Sequence, residues 1–423
     1  METFDLDFKK NGVGVAFDVG TTTVAGASLN LETGRVLGQT SLANPQSRWG
    51  KDVISRLAAL DRDPSLLMEM SASLTGACNS ILRWLTRDGA VTEITAAGNP
   101  VMDHLLLGVS PEPLSRVPYR PAFKDAQRLS AKETGLCSCA DTPLYAFPLI
   151  GGFVGGDAVA VALSLGLRRE KEAAIAIDIG TNSEIMLAAG GELYATSAAA
   201  GPAFEAGEIS AGMVAGAGAI ECVSIDGDAV RLKVIGEVAP RGICGSGLID
   251  AVSHLVLAGV IDASGRIKDR DEVDSGLSNR VTAGEDGNRF SLYRGAKGEV
   301  ALTQQDIRAV QTAKASTRAG IEMLIKKAGI SAGDIKKVYV AGAFGSHIHA
   351  KALSSIGIID ASWQAKVAFV GDAALNGALL ALSDEKKAEA EHLASSFRYV
   401  PLSGSAHFEE EFIRRMNFQD AGG

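Results

Sequence analysis

Short apolar runs that end in an acidic residue and a glycine occur in both halves of this chain. Residues 15–20 read VAFDVG and residues 175–180 read IAIDIG, and hydroxyl or amide residues follow each run. Further apolar stretches come next, separated by the turn ETG at 32–34 in the first case and by GG at 190–191 in the second. Strand-length apolar runs bounded by glycine turns are typical of β-hairpins. Each region therefore predicts a buried strand that leads into a hairpin.

Apolar residues at helical spacing fill much of the intervening sequence. They predict helices at 51–60, 65–85, 155–168, 245–258, 303–328 and 372–382. In the last long helix, Thr303 stands at the N-cap position and Asp306 follows three residues later, which is close to a capping box. The stretch 264–300 is polar and rich in turn residues, and we predict that it is β-like and peripheral.

Three motifs recur in the same order in the two halves of the chain. The matched positions are Asp18 with Asp178, Gly98 with Gly342, and Asp157 with Asp372. This order predicts a duplicated α/β domain whose copies carry unequal insertions. We expect lobe I at residues 1–172 and lobe II at 173–423, with an inserted subdomain at about 205–335. A C-terminal segment at about 372–423 is expected to pack back between the lobes.

Composition and charge exclude several functional classes. The chain is 46% hydrophobic and 22% charged, as in a globular protein, and its net charge is −9. A general binder of phosphate backbones would need a basic face. The start METFDLDFKKNG shows no secretory signal, and no apolar run approaches the roughly 18–20 residues that cross a bilayer. We therefore expect a cytoplasmic protein with neither a nucleic-acid partner nor a membrane partner.

The cysteines show no cluster-binding spacing. The five are Cys78, Cys137, Cys139, Cys222 and Cys244, and no CxxC occurs among them. We expect reduced thiols and no iron–sulfur cluster in this chain. Cys137 and Cys139 form the one close pair, which fits either a loop with two thiols or a cluster shared across a dimer.

The two aspartate–glycine turns suit a nucleotide phosphate. Backbone N–H groups of a tight turn can surround phosphate oxygens, and neighbouring hydroxyls add donors. The candidate phosphate-binding residues are Gly20, Thr21, Thr22, Thr23, Gly180, Thr181 and Asn182. Asp18 and Asp178 are candidates to hold Mg²⁺ through water and to act in catalysis, since Mg²⁺ keeps several of its waters. One such turn alone would indicate an ordinary strand end, but the pair favours nucleotide binding.

These turns, together with VAGAFG at 340–345, resemble the phosphate and adenosine motifs of the actin-like ATPase superfamily, which includes acetate and sugar kinases and seventy-kilodalton heat-shock chaperones. The resemblance implies a duplicated, ribonuclease H-like α/β fold with two lobes around a cleft for ATP and Mg²⁺. It places Gly342, Ala343 and Phe344 on the adenosine side. It also implies that the helix RAVQTAKASTR at 308–318 borders the nucleotide through Gln311, Lys314 and Arg318. A solvated helix face is the alternative for Lys314 and Arg318.

A longer set of motifs resembles the ATPase domain of reductive activators of corrinoid proteins. The set includes AGNPVMDHLLLG at 97–108, AIDIGTNSEIML at 176–187, TSAAAGPAFEAGEISAGM at 196–213 and GICGSGLIDAV at 242–252. The resemblance implies ATP-coupled reduction of Co(II) to Co(I) in a corrinoid partner, either a methyltransferase corrinoid subunit or the corrinoid iron–sulfur protein. Pro100 and Val101 stand where the family tends to have threonines.

Such activators usually carry an iron–sulfur module, often an N-terminal [2Fe–2S] domain, and this sequence contains none. We expect either that the chain is a truncated domain or that a separate iron–sulfur protein donates the electron. A homodimer is compatible with the sequence.

Further residues carry weaker signals. Ser197 opens a run of small residues that could approach a flat macrocycle and present an oxygen to cobalt, although a packed turn is the commoner role of such a run. The sequence Gly245-Ser246-Gly247 fits either an anion-binding helix start or close packing. We interpret His104, His254, His347 and His349 as surface or cleft residues and not as metal ligands.

Three rival functions remain open. A small-molecule kinase of the same superfamily would need a general base, and Asp157 could serve. An activator of a 2-hydroxyacyl-CoA dehydratase or benzoyl-CoA reductase would bridge a cluster across a dimer, and only Cys137 and Cys139 could do this. A nucleotide-switched chaperone or assembly factor is the third.

Overall fold

The computed structural model describes residues 3–4, 6, 8, 10–86, 90–136, 141–296, 298–342 and 348–418. The predictions that concern Cys137, Cys139, Ala343, Phe344 and His347 lie outside these residues. The chain divides into two compact units. The first unit comprises Met1–Asp178, Met186–Thr196 and Asp372–Val400, and the second comprises Ile179–Ile185, Ser197–Gly371 and Pro401–Gly423.

The strands occur mostly in consecutive runs, which helices separate along the chain. The strands are β1 (Val13–Val19), β2 (Thr23–Asn30), β3 (Val36–Ala43), β4 (Val91–Gly98), β5 (Gln127–Ser130), β6 (Pro143–Ala146), β7 (Ala174–Ile179), β8 (Asn182–Ala189), β9 (Glu192–Ala199), β10 (Ala219–Asp226), β11 (Ala229–Val234), β12 (Gly242–Ile243), β13 (Val281–Gly284), β14 (Gly287–Gly295), β15 (Gly298–Thr303), β16 (Lys337–Ala341), β17 (Val367–Gly371) and β18 (Phe397–Tyr399). The helices are α1 (Val53–Arg62), α2 (Leu66–Leu85), α3 (Pro100–Leu106), α4 (Gly156–Leu165), α5 (Gly245–Leu257), α6 (Gln304–Ala328), α7 (Ala350–Ser355), α8 (Ala373–Leu380), α9 (Asp384–Ser396) and α10 (Ala406–Arg414).

Two six-stranded sheets share one strand pattern. Their orders are β3-β2-β1-β4-β6-β5 and β17-β16-β7-β8-β9-β18. The series β3, β2, β1, β4, β6 in the first sheet therefore corresponds to β9, β8, β7, β16, β17 in the second. In the first sheet, β1 pairs antiparallel with β2 and parallel with β4. The duplicated α/β architecture predicted from the three motif pairs is confirmed.

The core of the first unit lies between its sheet and helices α2 and α3. Buried residues of β1, such as Val15 and Phe17, pack with Leu74 and Ile81 of α2 in one hydrophobic cluster. Helices α4 and α8 also pack against each other. A Cβ on Gly377 would lie 1.9 Å from the Ala160 carbonyl oxygen, so only glycine permits this approach of the two backbones.

The second unit contains two small three-stranded sheets, with orders β11-β10-β12 and β13-β14-β15. The latter forms the β-like stretch predicted at 264–300. Helix α6 follows it, and Thr303 and Asp306 form a capping box at its first turn, as predicted. The helix ends at Gly329, whose φ of 69° is left-handed. No helix in the described ranges is long and apolar enough to cross a membrane.

Candidate functional site

The first aspartate–glycine turn joins β1 to β2 in the first unit. A Cβ on Gly20 would lie 2.6 Å from the Thr23 carbonyl oxygen, so the tight turn requires glycine. The Asn44 side chain donates to the Gly20 carbonyl at 2.9 Å, and the Asn44 amide donates to the Thr22 carbonyl at 2.8 Å. Thr22 and Thr23 are exposed. The turn is thus fixed while its outer hydroxyls remain accessible to a ligand.

A buried arginine supports this turn from below. Arg56 is 0% exposed, and its Nη2 donates to the Thr21 carbonyl at 2.6 Å. Its other groups donate to the Gly50 carbonyl at 3.0 Å and to Gln46 Oε1 at 3.1 Å. Burial lowers the Arg56 pKa to about 10, so the side chain stays charged at neutral pH. Thr21 is itself buried, and its hydroxyl accepts from Asn99 at 2.9 Å.

Five aspartates of the first unit form a cluster in which the charges of four raise the pKa of the fifth, Asp18. They are Asp18 on β1, Asp103 on α3, Asp157 in the first turn of α4, Asp178 on β7 and Asp372 at the N-cap of α8. Burial raises the pKa of Asp18 well above its ordinary value, and the charges of Asp372, Asp157, Asp178 and Asp103 raise it further. Burial also raises the pKa of Asp372 and brings that of Asp157 to about 6.

Asp103 is the most deeply buried of these carboxylates. It is 0% exposed, and within the described ranges neither of its oxygens has a hydrogen bond of normal geometry. Gly98 and Gly156 lie against it, because a Cβ at either position would come within 3.0 or 3.2 Å of a carboxylate oxygen. Burial and the charge of Asp157 raise the Asp103 pKa well above its usual range. Asp103 lies within the AGNPVMDHLLLG motif but was not among the predicted site residues.

This carboxylate cluster is chemically suited to Mg²⁺. Carboxylate and water oxygens are the ligands that Mg²⁺ prefers. The charged neighbours that raise the Asp18 pKa are all acidic, so a divalent cation would relieve their mutual repulsion. Asp18 and Asp178, the predicted metal-holding pair, both belong to the cluster.

The second aspartate–glycine turn joins β7 to β8, and a carboxylate engages its donors. Glu205 Oε1 accepts from the Thr181 amide at 3.1 Å, and Oε2 accepts from the Thr181 hydroxyl at 2.9 Å. A Cβ on Gly180 would approach Glu205 Oε1 to 3.2 Å. The Glu205 carboxylate therefore already binds the Thr181 amide and hydroxyl, which the sequence predicts to bind phosphate. Glu205 was not predicted, and nothing in its local sequence marks it.

Helix α6 holds the residues predicted to border the nucleotide, and they are not on a solvated face. Gln311 Nε2 donates to the Met416 carbonyl at 2.8 Å. Lys314 is 2% exposed and donates to the Asn417 carbonyl, and burial lowers its pKa to about 7. Arg318 is 3% exposed and bonds to Asp360 Oδ2 at 3.1 Å. Their role toward a nucleotide remains a prediction.

Gly98 and Gly342 match each other in the two halves of the sequence, and both occupy positions that disfavour a side chain. Gly342 has a φ of 124°, and its amide donates to the Gly371 carbonyl at 3.1 Å. A Cβ on Gly98 would lie 2.8 Å from the Val19 carbonyl oxygen. In GICGSG, a Cβ on Gly247 would come within 2.2 Å of the Ile220 carbonyl, so this glycine serves close packing.

Two polar residues have local partners that their sequence context did not show. Ser197, the predicted partner-facing residue, donates to Glu184 Oε1 at 3.2 Å. His104 is not a surface or cleft residue, because it is 0% exposed and stacks on Phe123 at 4.4 Å. Its Nε2 accepts from the Ala122 amide at 3.0 Å. Burial lowers the His104 pKa, so the ring is neutral.

Comparison with known proteins assigns both regions of the chain. Residues 13–170 match the RACo middle region, and residues 172–422 match the C-terminal domain of RACo, the ASKHA domain. Corrinoid activation enzyme RamQ of Eubacterium limosum is 32% identical over 419 residues, which are 96% of this chain and 70% of that protein. The Co(II) methylated amine-specific corrinoid protein reductase of Methanosarcina barkeri is 24% identical over 376 residues, covering 81% of this chain and 65% of that protein.

A solved structure agrees with these matches. The reductive activator for corrinoid, iron–sulfur protein superposes with a TM-score of 0.90 at 33% identity. The alignment covers 96% of this chain and 66% of that chain, so the present chain spans about two thirds of it. The duplicated strand order of the present chain and its paired aspartate–glycine turns are those expected of an actin-like ATPase fold. The chain belongs to the RACo family and carries its middle region followed by its C-terminal ASKHA domain.

Proposed function

We propose that this protein is an ATP-dependent reductive activator of a corrinoid protein. ATP binding and hydrolysis drive the transfer of one electron to inactive Co(II), which becomes Co(I) in the partner. The electron comes from an iron–sulfur donor that is not part of these 423 residues. The corrinoid partner is proposed because the relatives' names describe corrinoid activation and reduction of a Co(II) corrinoid protein.

The observation that carries the ATPase part is the convergence of the duplicated motifs. Asp18 and Asp178 end equivalent strands of the two sheets, and the charge of Asp178 raises the pKa of Asp18. Two matched carboxylates in one negatively charged cluster are suited to Mg²⁺ and to the phosphates that it accompanies. An ordinary strand end would not require this second carboxylate.

The aspartates and most other residues of the two turns have proposed roles. Asp18 and Asp178 hold Mg²⁺ through water and orient the attacking water. When bound, Mg²⁺ neutralises charge on the phosphate oxygens. The turn residues Gly20, Thr22 and Thr23 bind phosphate through their amides and exposed hydroxyls. Gly180, Thr181 and Asn182 do the same in the second turn.

ATP is required because the electron transfer is uphill for a ferredoxin-like donor. Moving one electron against 100 mV costs about 2.3 kcal/mol. A nucleotide can supply this only if it binds two conformations of the protein with different affinities. We propose that the ATP-bound conformation binds the Co(II) corrinoid partner more tightly than the nucleotide-free conformation does.

Anaerobic spectroscopy on the reconstituted system tests the proposal. The chain is mixed with a Co(II) corrinoid protein, a reduced ferredoxin, Mg²⁺ and ATP, and Co(I) formation is followed by corrinoid absorption. We expect Co(I) only in the complete mixture. Asp178→Asn should slow Co(I) formation and ATP hydrolysis at least about 100-fold. Asp226→Asn is the control, since Asp226 is on an exposed strand end with a side-chain exposure of 84%.

Two results would contradict the proposal. Co(I) formation at the same rate without ATP, or in Asp178→Asn, would remove the coupling between the nucleotide and the electron. ATP-dependent phosphorylation of a metabolite, with no corrinoid reduction by any donor, would favour the kinase alternative.

A further inference from the structure

Three potential metal ligands from distant parts of the sequence meet in the second unit. Cys222 lies on β10, Asp250 on α5, and His349 at the N-cap of α7. One ligand atom from each lies within 4.8 Å of the others. The packing of α5 against both β10 and α7 brings them together. They are separate from the five aspartates of the first unit.

The carboxylate of this group is buried without full hydrogen bonding. Asp250 is 2% exposed, and its Oδ2 has no hydrogen-bond partner among the residues that the structure describes. Buried polar atoms in proteins nearly always have a partner, because an unpaired one costs free energy. Burial raises the Asp250 pKa, and hydrogen bonds from Cys222 and Val223 and the charges of His349 and His254 oppose this effect only in part. A cation bound here would satisfy the free oxygen.

The thiol of this group is not set up as a nucleophile. Burial and its hydrogen bond to Asp250 raise the Cys222 pKa to about 11, whereas a reactive cysteine needs a lowered pKa. Coordination to a metal ion deprotonates a thiol and so reverses this effect. Lys233, whose charge lowers the Cys222 pKa in part, pairs with Glu221 at 3.1 Å.

Other titratable groups face the same region. His254 lies one turn after Asp250 on α5, and its Nδ1 accepts from the Ile225 amide at 3.4 Å. Burial lowers the His254 pKa, and the charges of Lys351 and His349 lower it further, against the opposing charge of Asp250. His254 is therefore neutral and has one ring nitrogen engaged, so His349 is the imidazole available to a metal.

We propose that Cys222, Asp250 and His349 bind a Zn²⁺ ion, with the fourth position open to water or a ligand. Thiolate, carboxylate and imidazole are all zinc ligands, and three protein ligands with an open position are typical of catalytic zinc sites. Tetrahedral zinc distances place ligand atoms about 3.3–3.8 Å apart. The three atoms need only a small closure to reach this, and the exposed His349 side chain is free to supply it.

The sequence could not reveal this site. Its ligands are separated by 28 and 99 residues, and none of them stands in a zinc-binding spacing. The interpretation of His349 as a non-ligand follows from sequence spacing alone, and Zn²⁺ binding at this site would overturn it. The proposal does not depend on ATP hydrolysis or on a corrinoid partner.

Metal titration of the 423-residue chain tests the site. A Cys137→Ser/Cys139→Ser background removes the close thiol pair, and Cys78 and Cys244 are buried. After chelator treatment, we expect binding of one Zn²⁺ per chain by elemental analysis and calorimetry. Co²⁺ substitution should give a near-ultraviolet sulfur-to-cobalt charge-transfer band. Binding should tighten as pH rises, because the thiol must lose its proton.

Single substitutions separate ligation from folding. Cys222→Ser should abolish the charge-transfer band, and His349→Gln should weaken Zn²⁺ binding at least about 10-fold. His407→Gln is the matched control, because His407 lies on α10, where its Nδ1 is 3.8 Å from Glu410 Oε2. The Zn²⁺ affinity of this variant should equal that of the background. Since His349 is exposed, its variant should keep the melting temperature of the metal-free chain. Two results would overturn the proposal. One is binding of less than one Zn²⁺ per chain, and the other is a Zn²⁺ affinity in Cys222→Ser and His349→Gln that equals the affinity of the background.

Discussion

At the scale of single residues, the two aspartate–glycine turns have similar sequences but different partners. The first is supported from the protein interior, where Arg56 and Asn99 bind the main chain and hydroxyl of Thr21. The second is bound at its donors by the Glu205 carboxylate. A phosphate at the second turn would therefore compete with Glu205 for the amide and hydroxyl of Thr181.

This competition predicts the effect of removing the Glu205 charge. Glu205→Gln keeps the shape but weakens the bonds to Thr181, because hydrogen bonds to an ionised acceptor are roughly twice as strong as neutral ones. We expect ATP to bind about 5- to 10-fold more tightly, as measured by calorimetry. Glu208→Gln, at an exposed position three residues away, should leave the affinity unchanged. Weaker ATP binding in Glu205→Gln would instead assign Glu205 a direct role in the nucleotide site.

The carboxylate cluster predicts a pH-dependent stability. The Asp157 pKa is about 6 in the folded chain, against an ordinary value of 3.8. Between these two pH values, Asp157 is ionised in the unfolded chain but still protonated in the folded chain. The free energy of unfolding therefore falls as pH rises through this window. Asp157→Asn removes this penalty and its side-chain oxygen can still accept from the Ala158 amide.

We expect the variant to gain stability relative to wild type by about 2 kcal/mol more at about pH 7.5 than at about pH 4.5. Urea denaturation without Mg²⁺ measures this difference. A constant difference at the two pH values would show that Asp157 does not titrate in this window. Asp226→Asn provides the comparison for an exposed carboxylate.

At the scale of elements, helices α4 and α8 are matched in the repeat and in space. Asp157 and Asp372 stand at their N-terminal ends, and the helices cross at Gly377 and Ala160. The backbones of the two helices touch at this crossing, so a side chain at Gly377 would clash. A side chain at a glycine on an exposed helix face would not. This contrast can be measured with two Gly→Ala substitutions.

Gly377→Ala should destabilise the chain by about 2 kcal/mol or more, since its Cβ would lie 1.9 Å from the Ala160 oxygen. Gly76→Ala on α2 is the matched control, because no heavy atom of the described part of the chain lies within 4 Å of its Cβ position. Alanine favours the helix there by up to about 1 kcal/mol. In urea unfolding, the free energy of unfolding should therefore fall for Gly377→Ala and rise for Gly76→Ala. Equal changes in the two variants would contradict the close crossing of the helices.

Long elements with clear periodicity were predictable, and short ones were not. Helix α6 begins at the predicted Thr303 cap because the capping box is a local signal. Helices α3 and α7 have seven and six residues, too few for a periodic pattern to emerge. Helix α9 is rich in charged residues, and burial of Ala390 and Leu393 by neighbouring elements stabilises it.

At the scale of the whole molecule, nucleotide and partner binding are expected to be linked. If ATP favours the conformation that binds the Co(II) partner, the partner must increase ATP affinity by the same factor. We expect a factor of about 5–150, measured by calorimetry in both directions with a non-hydrolysable ATP analogue. Hydrolysis by the chain alone should be slow. Equal partner affinity with and without the analogue would contradict the linkage.

The sequence by itself determined the duplicated fold and the two aspartate–glycine turns. Apolar runs, aspartate and glycine at fixed offsets act locally, and each specifies a strand and its turn without distant contacts. The motif order then predicted the matched strand orders of the two sheets.

Only the tertiary structure decided which polar groups surround these turns. Arg56 reaches Thr21 across 35 residues, and Glu205 reaches Thr181 across 24. The unpaired carboxylate of Asp103 and the meeting of Cys222, Asp250 and His349 likewise arise from packing between separate elements. Burial and charge depend on every neighbouring group at once, and no local pattern in the chain encodes them.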